Sequence, residues 1–166
     1  MAEPISLRCV VLTINGRRTP DDDDAGDLLA QRLQGAGHQL VRRAIVRDNR
    51  YEIRRVLSDC IADEAVQVVL TSGGTGFAAS NVTPEAVLPL LDLEIPGFGE
   101  LFRQLSYGDI GSSALQARTL AGIANNTLIF CLPGSPGACA LAWDGILVEQ
   151  LDSRHKPCNF ASRFRA

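Results

Sequence analysis

Short apolar runs alternate along the chain with stretches of helical spacing. Strands are predicted over Leu7 to Ile14, Gln39 to Val46, Val66 to Thr71 and Thr127 to Leu132. The first of them shows little polar alternation, as expected for a strand that is covered on both faces. Strands of this kind between helices are typical of a parallel sheet with right-handed crossovers.

Apolar residues at helical spacing predict that the segments between the strands are helices. The first helix carries a stripe of apolar positions, namely Ala25, Leu28, Leu29, Leu33 and Ala36. Gly37 is suited to end it, while Asn49 and Glu52 fit the N-cap and capping box of a second helix. A third helix begins with Thr83 as its cap and Pro84 in its first turn. Further helices are predicted over Phe98 to Leu105, Ser113 to Ala121 and Ala138 to Gln150.

The composition fits a single globular domain spanning residues 1–166. The chain has 46% hydrophobic and 21% charged residues, and its formal net charge is −3. We expect no nucleic-acid partner, because there is no basic tail and only one Trp and two Tyr are available to stack on bases. The apolar runs are no longer than a strand and the N-terminus lacks a signal-peptide pattern, so we expect a cytoplasmic protein with no membrane partner.

Five cysteines and two histidines are too scattered to predict a metal site. The cysteines lie far apart, include no Cys-x-x-Cys pair and are odd in number. This pattern favours neither a disulfide framework nor a zinc site, and it indicates buried reduced thiols. His38 and His155 are expected to have structural roles.

The strongest chemical signal is a glycine-rich loop that follows the third strand. Ser72, Gly73, Gly74, Thr75 and Gly76 combine backbone that lacks β-carbons with two hydroxyl side chains. Glycine permits positive φ angles that aim successive N–H groups at one anion, so the segment predicts a phosphate-binding loop. The same glycines also suit a tight structural turn, and neither a Walker A lysine nor a Gly-x-Gly-x-x-Gly turn is present.

A second loop of similar form follows the last strand. Pro133, Gly134 and Ser135 come directly after Leu132 and precede a predicted helix. Gly134 and Ser135 offer an N–H group and a hydroxyl to a phosphate, although pure turn residues would look the same. Because ligands of parallel sheets bind beyond the carboxyl ends of the strands, the two loops predict the walls of one crevice.

Several longer motifs resemble, in order and spacing, those of the MoaB/MogA family of molybdenum cofactor biosynthesis proteins. They extend over nearly the whole chain and comprise Thr71 to Phe77, Val82 to Ala86, Pro96 to Glu100 and Leu132 to Pro136. Three others look most like the MoaB branch, namely Arg47 to Asn49, Ser112 to Arg118 and Lys156 to Asn159. The resemblance implies a three-layer αβα domain with a mostly parallel sheet, the MogA-like molybdopterin-binding fold.

The family resemblance also implies an activity. The chain would be a molybdopterin adenylyltransferase, which transfers AMP from Mg-ATP to the terminal phosphate of molybdopterin and releases pyrophosphate. Mg²⁺ is then the expected cofactor, with ATP and molybdopterin as substrates. Such chemistry needs backbone donors around phosphates and a divalent cation held by carboxylates. The resemblance further implies a homo-oligomer, either a trimer or a hexamer, and it allows other molybdenum cofactor biosynthesis proteins as partners.

Residue by residue, the resemblance implies that Gly73 to Gly76 form the nucleotide and pterin phosphate site. Asp48 matches a family acid associated with catalysis, and it is equally suited to cap the helix that starts near Asn49. Glu85 has two interpretations, as a ligand-facing carboxylate and as a first-turn acid that favours the helix dipole. Asp48 and Asn81 are the expected metal residues, and with Glu85 they are the expected catalytic residues.

Asn81 departs from the family pattern, because many members have an aspartate there. An amide keeps one carbonyl oxygen but loses the charge, so it binds a hard divalent cation more weakly and cannot act as a base. Two functions therefore stay open, the adenylyltransferase and a molybdopterin- or nucleotide-binding paralogue of weak or no turnover. The paralogue would serve as a carrier or an oligomeric binding protein. A purely structural assembly subunit would leave both glycine-rich loops unexplained.

Other polar residues have two interpretations each. Ser112, Ser113 and Arg118 form a candidate patch for the pterin or its phosphate, and Arg118 also suits a surface or subunit ion pair. The acidic run Asp21 to Asp24 predicts a solvated loop and a helix start rather than a metal site. Consecutive carboxylates cannot all converge on one ion.

Overall fold

The computed structural model describes residues 2–166. Its strands are β1 Arg8–Ile14, β2 Gln39–Val46, β3 Val68–Ser72, β4 Leu93–Glu94, β5 Leu120–Ala124 and β6 Thr127–Leu132. They form one sheet in the order β2-β1-β3-β6-β5-β4. The first four strands in this order run parallel, whereas β5 is antiparallel to β6 and β4 is antiparallel to β5. The sheet is therefore mostly parallel, as expected.

The helices are α1 Asp24–Gly35, α2 Arg50–Ala62, α3 Thr83–Val87, α4 Pro96–Ile110, α5 Pro136–Ala142 and α6 Val148–Gln150. A π-helical turn, Trp143–Leu147, joins α5 to α6, so the helix predicted up to Gln150 is present and begins at Pro136. Short 3-10 helices cover Leu88–Leu90, Gly111–Gln116 and Ala161–Phe164. None of the helices within residues 2–166 combines the length and apolarity needed to cross a membrane.

Each face of the sheet buries its own hydrophobic core. Alternate residues of β1 point to opposite sides, so Val11 belongs to one core and Val10 to the other. Phe102 of α4 and Trp143 lie in the first core, while Leu57 of α2 lies in the second. Full burial of a side chain of this size contributes about 1.5–3 kcal/mol. The result is the three-layer αβα arrangement that the resemblance implied.

The strands predicted from apolar runs are all present. β2 and β6 have the predicted bounds, β1 begins one residue later than predicted, and β3 is shifted towards the glycine-rich loop. Every residue of β3 and β6 is buried, which matches their position in the middle of the sheet.

The helix predicted over Ser113 to Ala121 is wrong in its second half, where β5 begins. β5 turns into β6 through Asn125 and Asn126, which have positive φ angles of 47° and 64°. The strand is rich in Ala and Gly, which are poor strand formers, so the local pattern favoured a helix. A β-carbon at Gly122 would lie 2.7 Å from the carbonyl oxygen of Leu93, so glycine lets β4 approach β5.

Two helix starts differ from their predictions. Asn49 caps α2 as predicted by accepting two backbone N–H groups of the first turn, each at 3.0 Å. The Glu52 carboxylate pairs with Arg47 instead of closing a capping box. Thr83 lies within α3, and its hydroxyl donates to the carbonyl oxygen of Gly73 at 2.9 Å instead of capping the helix.

The acidic run Asp21 to Asp24 is only partly solvated. Asp23 is 1% exposed and caps α1 by accepting the N–H of Gly26 at 3.1 Å. Its carboxylate also accepts the Thr13 hydroxyl at 2.8 Å and the Arg43 guanidinium at 3.0 Å. The predicted helix start is confirmed, but the prediction of a solvated loop is wrong for Asp23 because three protein donors replace water.

Candidate functional site

The two predicted loops meet where the central strands end. Ser72, the last residue of β3, is paired with Thr13 of β1 and with Leu132 of β6. The N–H of Gly73 donates to the carbonyl oxygen of Leu132 at 2.9 Å. A β-carbon at Gly134 would lie 3.3 Å from the Cα atom of Gly73. The loops are therefore in direct contact, and glycine at position 134 permits this contact.

Two glycines of the first loop have conformations and surroundings that exclude other residues. Gly73 has a φ of +103°, and a β-carbon there would lie 2.3 Å from the carbonyl oxygen of Ile14. Gly74 has a φ of +71°, and its β-carbon would lie 2.2 Å from the Thr83 hydroxyl oxygen. Residues with a β-carbon rarely adopt such angles. The loop shape thus depends on both glycines.

The loops leave several backbone donors free. The hydrogen bonds within residues 2–166 include none from the N–H groups of Gly74, Thr75, Gly76, Gly134 and Ser135. Free N–H groups in adjoining loops at strand ends are the usual protein donors to a phosphate. The geometry therefore suits an anionic ligand.

A cleft of about 380 Å³ lies beside these donors. From the predicted site it is lined by Thr75, Gly76, Asn81 and Ser113, together with the second loop from Pro133 to Ser135. Among the other predicted residues, Ser112 is exposed and Arg118 is half-buried, and neither lines the cleft. The structure thus brings together most, but not all, of the predicted binding residues.

The opposite wall of the cleft was missed from the sequence. It contains Phe102, Ser106 and Ile110 of α4, which follow one another at four-residue spacing on one helix face. Phe102 and Ser106 are buried, whereas Ile110 is 53% exposed. A buried serine on an otherwise apolar helix face is the signal that could have indicated this wall. An apolar wall facing polar loops suits a ligand with a ring system and an anionic end.

A smaller pocket of about 70 Å³ also borders Gly134. Ser72 and Gly73 line it, together with Arg18 and Asp23. The Ser72 hydroxyl oxygen is buried and has no hydrogen-bond partner within residues 2–166. Buried polar groups are usually hydrogen-bonded, so this hydroxyl is a candidate contact for a bound ligand or water.

The two predicted metal-binding residues accept hydrogen bonds from different loops. The Asp48 carboxylate accepts the N–H of Gly16 at 3.1 Å, while the Asn81 side-chain oxygen accepts the N–H of Ala78 at 3.2 Å. No group of three or more His, Cys, Asp or Glu side chains in the described part of the chain is arranged to hold a metal ion. Mg²⁺ often binds one or two carboxylates and completes its shell with substrate phosphates. Asp48 supplies a carboxylate of that kind but lines neither of the two pockets described above, whereas Asn81 lines the larger one with a neutral oxygen. Each side chain already accepts one backbone hydrogen bond.

Glu85 points to Arg118 rather than to the cleft. One carboxylate oxygen of Glu85 accepts a hydrogen bond from Arg118 at 2.5 Å, and the other is buried without a partner. The hydrogen bond from the Arg118 guanidinium holds the pKa of Glu85 below its usual range. Glu85 is therefore ionised at neutral pH and is paired within the protein.

Comparison with known proteins agrees with this fold. A family model described as "Probable molybdopterin binding domain" matches residues 10–153, and the chain belongs to that family. It is 52% identical over 158 residues to molybdenum cofactor biosynthesis protein B of Escherichia coli strain K12, covering 95% of this chain and 93% of that protein. The corresponding Bacillus subtilis protein is 43% identical over 150 residues, covering 89% of this chain and 88% of that protein.

Solved structures show the same relationship. A crystal structure of molybdenum cofactor biosynthesis protein B has 43% sequence identity and a TM-score of 0.88. The match covers 90% of this chain and 94% of that one. The resemblance to the MoaB/MogA family and the fold expected from it are both confirmed.

Proposed function

We propose that the chain acts in molybdenum cofactor biosynthesis as a molybdopterin adenylyltransferase. It would transfer AMP from Mg-ATP to the terminal phosphate of molybdopterin and release pyrophosphate. The observation that carries the proposal is the set of free backbone N–H groups in two touching loops beside the cleft. Family membership and the names of the relatives support the same biosynthetic pathway.

The role of the protein in this reaction is to bind and orient phosphates. An oxygen of the pterin phosphate attacks the α-phosphorus of ATP, and pyrophosphate leaves. Negative charge develops on the phosphate oxygens, and fixed N–H groups from Gly74 to Gly76 and from Gly134 and Ser135 stabilise it without reorganising. The apolar wall of α4 would receive the pterin ring, with Phe102 beneath it and Ile110 at the opening.

Mg²⁺ is the proposed cofactor, with Asp48 as its carboxylate. A bound Mg²⁺ would neutralise charge on the nucleotide phosphates. Asn81 stands at the edge of the same cleft as the Gly76 backbone, and a β-carbon at Gly76 would lie 2.7 Å from the Asn81 side-chain oxygen. This close approach puts the Asn81 side-chain oxygen beside the loop, where the neutral amide adds no charge.

A second candidate function follows from Asn81. With a neutral residue at a position where many family members carry an aspartate, the chain would bind molybdopterin or nucleotide with weak or no turnover. The hydrogen bond from the Ala78 N–H to the Asn81 side chain favours this alternative, because the amide oxygen is already engaged.

Product formation separates the two functions. Purified protein is incubated without oxygen with molybdopterin and Mg-ATP, and adenylylated pterin is measured by chromatography. Product from the wild type that disappears in a Gly74→Val variant would support the enzyme. The binding paralogue would be supported if only the Asn81→Asp variant makes product. It would also be supported if the wild type binds the pterin and neither protein makes product.

We also propose that the chain forms a homo-oligomer, either a trimer or a hexamer. Several large apolar side chains are exposed on α4 and the following turn outside the cleft, namely Leu101, Tyr107 and Leu115. Leu115 and Tyr107 are 74% and 66% exposed, and contact with another copy of the chain would cover apolar surface of this kind. Light scattering coupled to size-exclusion chromatography measures the mass directly, and a monomer mass would contradict the proposal.

A further inference from the structure

Arg118 connects three points of a segment that lies more than thirty residues away in sequence. Its Nε donates to the carbonyl oxygen of Gly76 at 2.9 Å, and its Nη2 donates to the carbonyl oxygen of Asn81 at 2.9 Å. Its Nη1 donates to the Glu85 carboxylate at 2.5 Å. One guanidinium therefore holds the beginning, the middle and the end of residues 76–85.

Two further contacts strengthen this attachment. The backbone N–H of Arg118 donates to the carbonyl oxygen of Thr75 at 2.9 Å. The guanidinium carbon lies 5.2 Å from the centre of the Phe77 ring, within the range of a cation–π contact. Phe77 is itself 64% exposed, so it has little other packing to fix its position.

The geometry leaves Arg118 poorly placed to bind a phosphate. Each of the three guanidinium nitrogens already donates one N–H group to a protein acceptor, and the side chain does not line the cleft. The free N–H groups of Gly74, Thr75 and Gly76 lie in the loop that Arg118 holds.

Glu85 is equally poorly placed to hold a metal or move a substrate proton. One carboxylate oxygen is bonded to Arg118, the other is buried without a partner, and the side chain does not line the cleft. Arg54 also holds the backbone here by donating to the carbonyl oxygens of Glu85 and Ala86 at 2.9 and 3.1 Å.

We propose that Arg118 is a positioning residue that holds the glycine-rich loop in its ligand-binding shape, and that Glu85 is its partner rather than a catalytic or metal-binding residue. The kinetic part of this inference rests on the proposed adenylyltransferase function. The structural part does not, because the loop is held in the ligand-free protein.

The structural part is tested by hydrogen exchange of the ligand-free protein. In Arg118→Ala, the hydrogen-bonded amides between residues 73 and 85 should exchange at least about tenfold faster, because the loop that positions them loses its anchors. These amides are those of Gly73, Ala78, Asn81 and Thr83. Amides of β1 and β6 should keep their protection. Arg163→Ala is the matched control, since Arg163 bonds the Asn126 side chain and makes no contact with the loop.

The kinetic part is tested by comparing Arg118→Ala, Glu85→Gln and the double variant. The loop N–H groups that Arg118 holds are the proposed stabilisers of developing charge, so kcat/KM should fall about tenfold or more in Arg118→Ala. The kcat/KM of the double variant should be no lower than that of Arg118→Ala alone. The reason is that Glu85→Gln removes the ion pair that Arg118→Ala has already removed. Arg118→Lys should recover only part of the loss, since an ammonium cannot reach three acceptors in a fixed fork.

Two results would overturn the inference. Unchanged exchange in ligand-free Arg118→Ala, together with weaker pterin binding, would make Arg118 a direct ligand contact. If the losses of kcat/KM in the two single variants add up in the double variant, Glu85 has a role that is independent of Arg118. If the wild type makes no product, the adenylyltransferase proposal fails while the exchange experiment still decides the positioning role. If Arg118→Ala does not fold, the exchange rates of Arg118→Lys and Glu85→Gln test the positioning role of Arg118 in its place.

Discussion

Gly73 lies so close to Ile14 that a β-carbon at position 73 would come within 2.3 Å of the Ile14 carbonyl oxygen. The glycine-rich loop after β3 is therefore fitted against the end of β1, a strand from the start of the chain. The second loop reaches the same point, since Gly134 lies against Gly73. Three separate parts of the sequence thus determine the shape of the proposed anion-binding surface.

Replacing Gly73 by alanine should destabilise the protein and abolish pterin binding. The positive φ costs an L-residue about 1–3 kcal/mol, and the clash with Ile14 adds to it. Urea unfolding and a pterin-binding titration measure the two effects. Gly137→Ala is the control, because Gly137 lies in α5 and its β-carbon would meet nothing within 4 Å. A Gly73→Ala variant that binds normally would contradict the structural argument.

An Asn81→Asp variant should keep the fold and gain activity. The new carboxylate can still accept the Ala78 N–H, and it adds the charge that a divalent cation binds. We expect product formation to rise at least about tenfold, since a carboxylate can also take part in proton transfer. Chromatography of the adenylylated pterin measures the gain, and an unchanged rate would show that Asn81 does not limit turnover. Asn81→Ala should lose about 1 kcal/mol of stability, because the Ala78 N–H loses its acceptor.

Loss of the Asp23 carboxylate should destabilise the protein far more than loss of its neighbour. In Asp23→Ala the Thr13 hydroxyl and the Gly26 N–H lose their acceptor, at about 1–3 kcal/mol for each buried donor left without a partner. Asp24→Ala removes an exposed first-turn acid and should cost at most about 1 kcal/mol. Denaturant unfolding compares the two variants. Equal losses would show that Asp23 is not the buried anchor of α1.

Stability should fall as the pH drops below the usual pKa of histidine, in part through His38. The ring is 9% exposed, and its Nδ1 accepts the N–H of Leu7 at 3.1 Å. Burial lowers the pKa of His38, and the charge of Asp152 opposes this only in part. Below about pH 6.5 the unfolded chain therefore binds more protons than the native state, and the unfolding free energy decreases until the native pKa is reached.

An Asn at position 38 should make this decline shallower. Its side-chain oxygen can accept the Leu7 N–H but does not titrate. Comparison of the unfolding free energies of the wild type and His38→Asn at about pH 7 and about pH 5 isolates the contribution of His38. Identical pH dependence in the two proteins would contradict the assignment.

Local sequence signals predicted most of the elements that lie in the middle of the fold. β6 has the predicted bounds, Asn49 caps its helix as expected, and the first helix starts within the acidic run Asp21 to Asp24 as expected, because strand burial and helix caps depend on a few neighbouring residues. The glycine-rich loop was equally visible, since positive φ angles at Gly73 and Gly74 need glycine whatever surrounds them. These features were readable because their physical causes are local.

The tertiary structure alone decided which distant groups meet. The antiparallel pairing of β5 depends on β6 and on space at Gly122, and nothing in its Ala- and Gly-rich sequence marks a strand. The partners of Arg118 and the α4 wall around Ser106 depend on contacts between segments far apart in the chain. The sequence by itself therefore determined the four parallel strands of the sheet, the family and the glycine-rich loops. The three-dimensional packing decided which polar residues line the cleft and which hold the loop, because such roles depend on long-range contacts that no local pattern encodes.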